Sequence, residues 1–173
     1  MTSINLPLPV NENDHSIGPV DAVVTVVNYG DYQCPDCQRQ HREVERMFDE
    51  LFNRVRFVYR HFPLIRSHPQ ALKAAEAAEA AAAQSKFWEM HRRLYTHSNK
   101  LEDHHLRKYA RESGLDLNRF DQEMADDVYK EQVLKSYRES LVHGITGTPT
   151  TYINDKLYAM SGTELITAVK ALL

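Results

Sequence analysis

The stretch Gly-Asp-Tyr-Gln-Cys-Pro-Asp-Cys, residues 30–37, contains both cysteines of the 173-residue chain. Proline is favoured at the first position of a helix, so Pro35 predicts that a helix begins there with Cys34 at its cap. The unpaired amides of the first turn and the positive end of the helix dipole would then stabilise the Cys34 thiolate. Cys37 lies one turn deeper, within reach of a disulfide. The stretch therefore predicts a redox-active dithiol.

Two other interpretations of this pair are a structural zinc site and two inert thiols. A closed zinc site needs four ligands, and the sequence has neither a second CxxC nor a paired-histidine segment, while His41 would supply only a third ligand. Adjacent residues on a helix point about 100° apart, so His104 and His105 do not indicate a shared metal site. We therefore expect no metal ion and no cofactor other than the Cys34–Cys37 disulfide.

Composition is typical of a soluble globular protein, with 42% apolar and 26% charged residues and a formal charge of −3. The absence of a long basic run argues against a nucleic-acid partner. The longest apolar stretch near the N-terminus, residues 22–27, is far shorter than the ~20 residues of a membrane span, and residues 1–19 lack a secretory signal. We therefore expect one cytoplasmic domain over residues 1–173 with no membrane partner. A start engineered after a cleaved signal peptide would give the same sequence.

The first half of the chain predicts a β-α-β unit. A β-branched run over residues 22–27 predicts a buried strand, and residues 55–60 predict a second. The helix between them has one apolar stripe, formed by Val44, Met47, Phe48, Leu51 and Phe52. A strand, helix and strand over this length imply parallel pairing through a right-handed crossover.

Residues 67–144 are predicted to be helical throughout, opened by Pro69 and divided by Gly114 and Gly144 at helix ends. Several short helices fit this segment better than one, and His91 is predicted to be a hydrogen-bonded core residue. The apolar faces include Phe87, Trp88, Met90, Leu94, Tyr95, Leu106, Tyr109, Ala110, Leu117, Phe120, Met124, Val133, Leu134, Tyr137 and Leu141.

The last segment predicts a β-β-α unit. Strands over residues 150–153 and 156–160 are joined by a turn at Asn154-Asp155, and a helix starts near Thr163. Residues 1–20 are predicted to form only an extended N-terminal segment.

Three features together resemble the DsbA-like branch of the thioredoxin superfamily. They are this order of elements, the stretch of residues 30–37, and the later sequence Thr146-Gly147-Thr148-Pro149-Thr150. The resemblance runs from about Val20 to the C-terminus. It implies an α/β thioredoxin fold, β-α-β then β-β-α, with an all-helical insertion over about residues 67–144 between the two halves.

From the resemblance, Cys34 corresponds to the nucleophilic cysteine, Cys37 to the resolving cysteine, and Pro149 to a cis-proline that faces the dithiol. The backbone of Thr148 would then be free to pair with an extended substrate. The expected site thus comprises the catalytic residues Cys34 and Cys37 and the substrate-binding residues Thr148, Pro149, Pro35 and Asp36.

Two residues bear on the reactivity of this dithiol. Asp36 places a carboxylate near Cys34, and a like charge disfavours the thiolate, so we expect a less oxidising pair than one with histidine there. Asn28 stands where many relatives carry a buried glutamate. Deprotonation of Cys37 would then rely on water or on another side chain such as Asp31, or would proceed more slowly.

The resemblance implies an enzyme, a thiol–disulfide oxidoreductase that acts on protein or peptide thiols and disulfides, with glutathione as a further candidate partner. Two alternatives are a glutathione-dependent transferase or isomerase of the same fold, and a non-catalytic module that binds a metal or a partner.

Overall fold

Five strands form one mixed sheet within residues 5–159 and 164–173, which the structure, a computed structural model, describes. The strands are β1 (His15–Ile17), β2 (Val24–Gly30), β3 (Val55–His61), β4 (Thr150–Ile153) and β5 (Lys156–Tyr158). The helices are α1 (Pro35–Leu51), α2 (Ala71–Ala82), α3 (Phe87–Thr96), α4 (Asp103–Glu112), α5 (Leu117–Ala125), α6 (Lys130–Val142) and α7 (Leu165–Lys170). The spatial order is β1-β3-β2-β4-β5. This is the predicted thioredoxin fold with a helical insertion, and β1 is an additional edge strand.

The two central strands pair in parallel, as the sequence predicts. β2 begins at Val24 and continues to Gly30, so the predicted range of residues 22–27 is displaced towards the N-terminus. Val23 is 65% exposed and lies outside the ladder, whereas the polar Asn28 is buried within it. Because residue 28 is polar, the apolar pattern that predicts the strand stops at Val27, although the strand continues to Gly30.

Helix α1 begins at Pro35, as predicted, and buries Val44 and Met47 against the sheet. Phe52 was expected on the same stripe but is 49% exposed, because it caps the C-terminus of the helix.

The helices α2 to α6 lie between β3 and β4 and form the predicted insertion. Gly114 and Gly144 have φ values of +78° and +88° and follow the ends of α4 and α6, as predicted. The insertion departs from the prediction in two places. α2 begins at Ala71 rather than near Pro69, and Leu141 is 41% exposed although it was expected to face inwards.

The late hairpin turns at Asn154 and Asp155, whose φ values of +43° and +66° match the left-handed geometry that tight hairpins need. The predicted strand end at Met160 and helix start at Thr163 lie outside the described residues; α7 is described from Leu165.

The N-terminal segment is more structured than predicted, since β1 pairs antiparallel with β3. The Arg60 guanidinium fixes the segment by a buried ion pair with Asp14, with N···O distances of 2.7 Å. It also donates to the carbonyl oxygens of Leu8 and Pro9.

Candidate active site

The two thiols lie at the N-terminal end of α1. Cys34 caps the helix in an extended conformation, with φ −78° and ψ 122°, and Pro35 occupies the first turn. Both cysteines are reduced and buried, Cys34 at 6% exposure and Cys37 at 2%. The prediction that Cys34 caps the helix while Cys37 shares the buried face is confirmed.

The pKa values of the two thiols are shifted in opposite directions. The pKa of Cys34 is lowered from 9.0 to about 6, first because the Cys37 thiol donates a hydrogen bond to its sulfur. Burial opposes this shift, but the backbone N–H groups of Cys37 and Asp36 and the Thr148 hydroxyl also favour the thiolate. These amides belong to the first turn of α1, so the helix end acts as the sequence predicts.

Cys37 is shifted in the opposite direction. Burial and, after it, the neighbouring Cys34 sulfur raise the pKa of Cys37 well above its ordinary value. At neutral pH the pair therefore carries one negative charge, located on Cys34, with Cys37 as the proton donor.

A second loop faces the helix end. The Thr148–Pro149 peptide bond is cis, and the Cys34 thiol donates to the Thr148 carbonyl oxygen at an S···O distance of 3.7 Å. The Thr148 hydroxyl is buried and makes no well-aligned hydrogen bond to any described residue. Pro35 and Asp36 are exposed beside Cys34. The structure thus brings Thr148 to the dithiol, although the two positions are 114 residues apart in the chain.

Asp36 has two contacts that the sequence does not show. Its carboxylate pairs with Arg39, one turn along the exposed face of α1. The neighbouring cation offsets the carboxylate charge, and the Asp36 amide itself stabilises the Cys34 thiolate. The expectation that Asp36 makes the pair less oxidising than histidine would stays a prediction.

Asn28 belongs to a buried network of neutral side chains. Its amide donates to Gln40 Oε1 at 2.5 Å and to Thr151 Oγ1 at 2.9 Å, and Gln40 Nε2 donates to the same hydroxyl at 2.8 Å. Asn28, Gln40 and Cys37 also border a cavity of about 10 Å³, which is about the space that one water molecule needs. The network contains no carboxylate that could accept the Cys37 proton.

Asp31 is the nearest buried acid in the sequence, but its carboxylate is already occupied. One oxygen accepts from the backbone N–H of Gln33 at 2.7 Å. The other accepts from Leu64 N at 2.8 Å and lies 2.7 Å from His68 Nδ1. These bonds fix the loop that precedes Cys34, so Asp31 is a positioning residue.

An aromatic cluster behind the dithiol was not predicted as part of the site. Tyr32 hydrogen-bonds to His91 Nδ1 at 2.9 Å, and Tyr59 to Tyr95 through their hydroxyls at 2.9 Å. His91 is 3% exposed, so its prediction as a hydrogen-bonded core residue is confirmed. The sequence does not show that these tyrosines lie at the site, because no local pattern indicates that β3 and the helical insertion meet behind the thiols.

Burial lowers the pKa of His41 to about 4, with Arg92 and Arg42 adding to the shift, so its ring is uncharged at neutral pH. Among the described residues, no group of three metal-ligating side chains includes His41, Cys34 or Cys37. Within the same part of the chain, no helix combines the length and hydrophobicity that crossing a bilayer requires.

Comparisons with known proteins agree with the fold. A family model described as "Thioredoxin" matches residues 10–171. A thioredoxin-like oxidoreductase from Silicibacter pomeroyi DSS-3 is 30% identical, with a TM-score of 0.77 over 94% of this chain and 91% of that one. BdbD from Bacillus subtilis is 22% identical and shares the fold, with a TM-score of 0.81 over 98% of this chain and 94% of that one.

Curated relatives include the Na(+)/H(+) antiporter NhaA 3 of Salinispora tropica, which is 40% identical over 154 residues. The match covers 88% of this chain and 24% of the antiporter, so the chain spans about a quarter of the length of these relatives. The family model, the 30% identical oxidoreductase and the CPxC motif at the start of α1 agree with one another. The chain belongs to the thioredoxin family and is similar to a thioredoxin-like oxidoreductase.

Proposed function

We propose that the chain exchanges disulfides with protein or peptide substrates through Cys34 and Cys37. The observation that carries the proposal is that the two pKa values are shifted in opposite directions. The pKa of Cys34 is lowered to about 6, whereas the pKa of Cys37 is raised. A thiolate is the attacking species in exchange, and a protonated neighbour does not compete with it.

In the reductive direction, the Cys34 thiolate attacks one sulfur of a substrate disulfide. A mixed disulfide forms, and the other substrate sulfur leaves as a thiolate. Cys37 then loses its proton and attacks the Cys34 sulfur, which releases the second substrate thiol and leaves the protein as the Cys34–Cys37 disulfide. Two electrons pass from the protein to the substrate, and the same steps in reverse oxidise a substrate dithiol.

The proton of Cys37 must leave during the second step. Asn28 and Gln40 are neutral and the Asp31 carboxylate is occupied by three hydrogen bonds. The cavity beside Cys37 and Asn28 has about the volume of one water molecule, and we infer that a water molecule there accepts the proton. Without a buried carboxylate, this step is slower than in relatives that have one.

Substrate binding involves the loop opposite α1. The Thr148 carbonyl oxygen is 3.7 Å from Cys34 Sγ, so an extended peptide whose cysteine meets Cys34 runs alongside the backbone of Thr148 and Pro149. The exposed residues Pro35 and Asp36 form the other side of the contact. Substrate selection there rests on main-chain pairing rather than on a deep side-chain pocket.

The low pKa of Cys34 also affects the reduction potential. At pH 7 a thiol with a pKa of about 6 stabilises the reduced protein by about 1.4 kcal/mol relative to an unshifted thiol. For two electrons this raises the potential by about 30 mV. The dithiol is thus more oxidising than an unperturbed pair, and the expectation that it is less oxidising than a pair with histidine in place of Asp36 stays a prediction.

The test is reduction of a fluorescent peptide disulfide by the reduced protein, with Cys34→Ser and Cys37→Ser as matched variants. Cys34→Ser is expected to lose activity, and Cys37→Ser to accumulate a mixed disulfide detectable by mass spectrometry. Full activity of Cys37→Ser with glutathione would instead favour a glutathione-dependent transferase. Equilibration with defined glutathione ratios gives the potential and hence the favoured direction.

A further inference from the structure

Two histidines and one glutamate converge on one face of the sheet, at the edge where β1 pairs with β3. His15 lies opposite Tyr59 in the antiparallel β1–β3 pair, and His61 is two residues beyond Tyr59. Residues two apart on a strand share a face, so both imidazoles are on the same side of the sheet. Helix α2 covers that side and supplies Glu79.

The three side chains meet at one oxygen atom. Glu79 Oε1 is 2.7 Å from His15 Nε2 and 2.9 Å from His61 Nε2, and the three ligand atoms lie within 4.8 Å of one another. Ligand atoms of a tetrahedral zinc ion with bonds of about 2.0–2.1 Å are roughly 3.3 Å apart. A separation of the imidazole nitrogens from the carboxylate by about half an ångström would therefore admit the ion.

The ligands are held in place by their surroundings. The His15 ring stacks on Phe87 with a centroid distance of 3.6 Å and an interplanar angle of 10°. The other oxygen of Glu79 accepts a hydrogen bond from Gln132 Nε2 at 2.9 Å. Such a partner for the free carboxylate oxygen is the usual outer support of a metal-binding carboxylate.

A buried imidazole without partners is the second observation that points to a ligand. His61 is 5% exposed, yet neither of its ring nitrogens makes a well-aligned hydrogen bond to any described residue. The contact between its Nε2 and Glu79 is short but poorly oriented. A buried polar group left unpaired is unfavourable, and a metal ion bound to Nε2 would remove that penalty.

The cluster also opens onto a space that a fourth ligand could use. A cavity of about 420 Å³ is lined by His15, His61 and Glu79 together with Gln132 and Ser136. Protein sites with three ligands keep the fourth position for water or a small molecule. Two imidazoles and one carboxylate favour zinc and related transition-metal ions over calcium or magnesium, which prefer oxygen ligands.

We propose that His15, His61 and Glu79 bind one divalent transition-metal ion of the zinc class, with the fourth position open to the cavity. The ion joins β1, β3 and α2 and so ties the N-terminal edge strand to the insertion. This proposal departs from the expectation of no metal, which considered only residues near the cysteines and the His104–His105 pair. It does not depend on the chemistry of the dithiol.

The test uses the full chain without an affinity tag, in the disulfide form so that the cysteines cannot bind metal. Zinc is titrated in competition with a chromogenic chelator, and cobalt is used as a spectroscopic probe. We expect one equivalent of zinc, no binding of calcium, and cobalt absorption of a four-coordinate site without a thiolate charge-transfer band. Zinc is also expected to raise the thermal unfolding midpoint.

His15→Gln and Glu79→Gln are each expected to weaken zinc binding at least tenfold and to abolish the rise in unfolding midpoint. His15 is the safer of the two sites, because its side chain is 23% exposed. A His104→Gln/His105→Gln double variant is the matched control and should bind like the unmodified chain. Less than one equivalent of zinc, unchanged binding in the first two variants, or loss of binding in the control would overturn the proposal.

Discussion

Replacing Cys37 tests the origin of the low pKa of Cys34 directly. The hydrogen bond from the Cys37 thiol is the largest single cause of that shift, from 9.0 to about 6. A hydrogen bond to a charged group contributes roughly 1.5–3 kcal/mol, and one pKa unit corresponds to about 1.36 kcal/mol. Cys37→Ala should therefore raise the pKa of Cys34 by about 1–2 units, to about 7–8.

At pH 6 the thiolate fraction of Cys34 falls from about one half to about 1–10%. Alkylation by iodoacetamide, followed across pH by mass spectrometry, should slow by roughly 5- to 50-fold at that pH and remain unchanged near pH 9. Cys37→Ser keeps a hydroxyl donor and should retain most of the shift. Equal titration midpoints in Cys37→Ala and the unmodified protein would refute the assigned role of the Cys37 thiol.

Three further predictions concern the same region. Thr148→Val removes a hydroxyl that favours the thiolate, so the alkylation midpoint of Cys34 should rise, by less than in the alanine variant above. In urea titrations, the reduced protein should gain stability over its disulfide form as pH rises from about 6 to about 9, because Cys34 binds fewer protons in the native protein than in the unfolded chain. The slope is at most about 1.4 kcal/mol per pH unit, less with solvent screening. A stability difference between the two forms that does not change with pH would contradict the pKa shift. Gly30→Ala would place a Cβ 2.5 Å from the Tyr95 hydroxyl, so we expect a loss of about 1–3 kcal/mol in unfolding free energy, whereas Gly147→Ala, whose Cβ meets nothing within 4 Å, should lose less.

Local sequence signals account for most of the correct predictions. Pro35 identifies the start of α1 because its ring suits the first helical turn, and Asn154-Asp155 identify the hairpin because they tolerate positive φ. The parallel β2–β3 pair follows from the length of the connection. In each case a few neighbouring residues determine the backbone.

The features that sequence reasoning missed depend on contacts between distant segments. Strand β1 has three residues, too few for periodicity, and forms only because β3 has a free edge. The ion pair between Asp36 and Arg39 depends on the rotamer of Arg39. The convergence of His15 and His61 with Glu79 requires the sheet register and the position of α2 together, which no local pattern contains.

The hydrogen bonds of Asp31 have a mechanical consequence. One carboxylate links the residue before Cys34 to the chain after β3 and to His68, just ahead of α2, and the Gln33 side chain adds a bond to Gln70 N at 2.8 Å. These hydrogen bonds consequently link the loop before Cys34 to the residues that precede α2. A displacement of the residues just ahead of α2 would therefore also shift the backbone that positions the Cys34 sulfur.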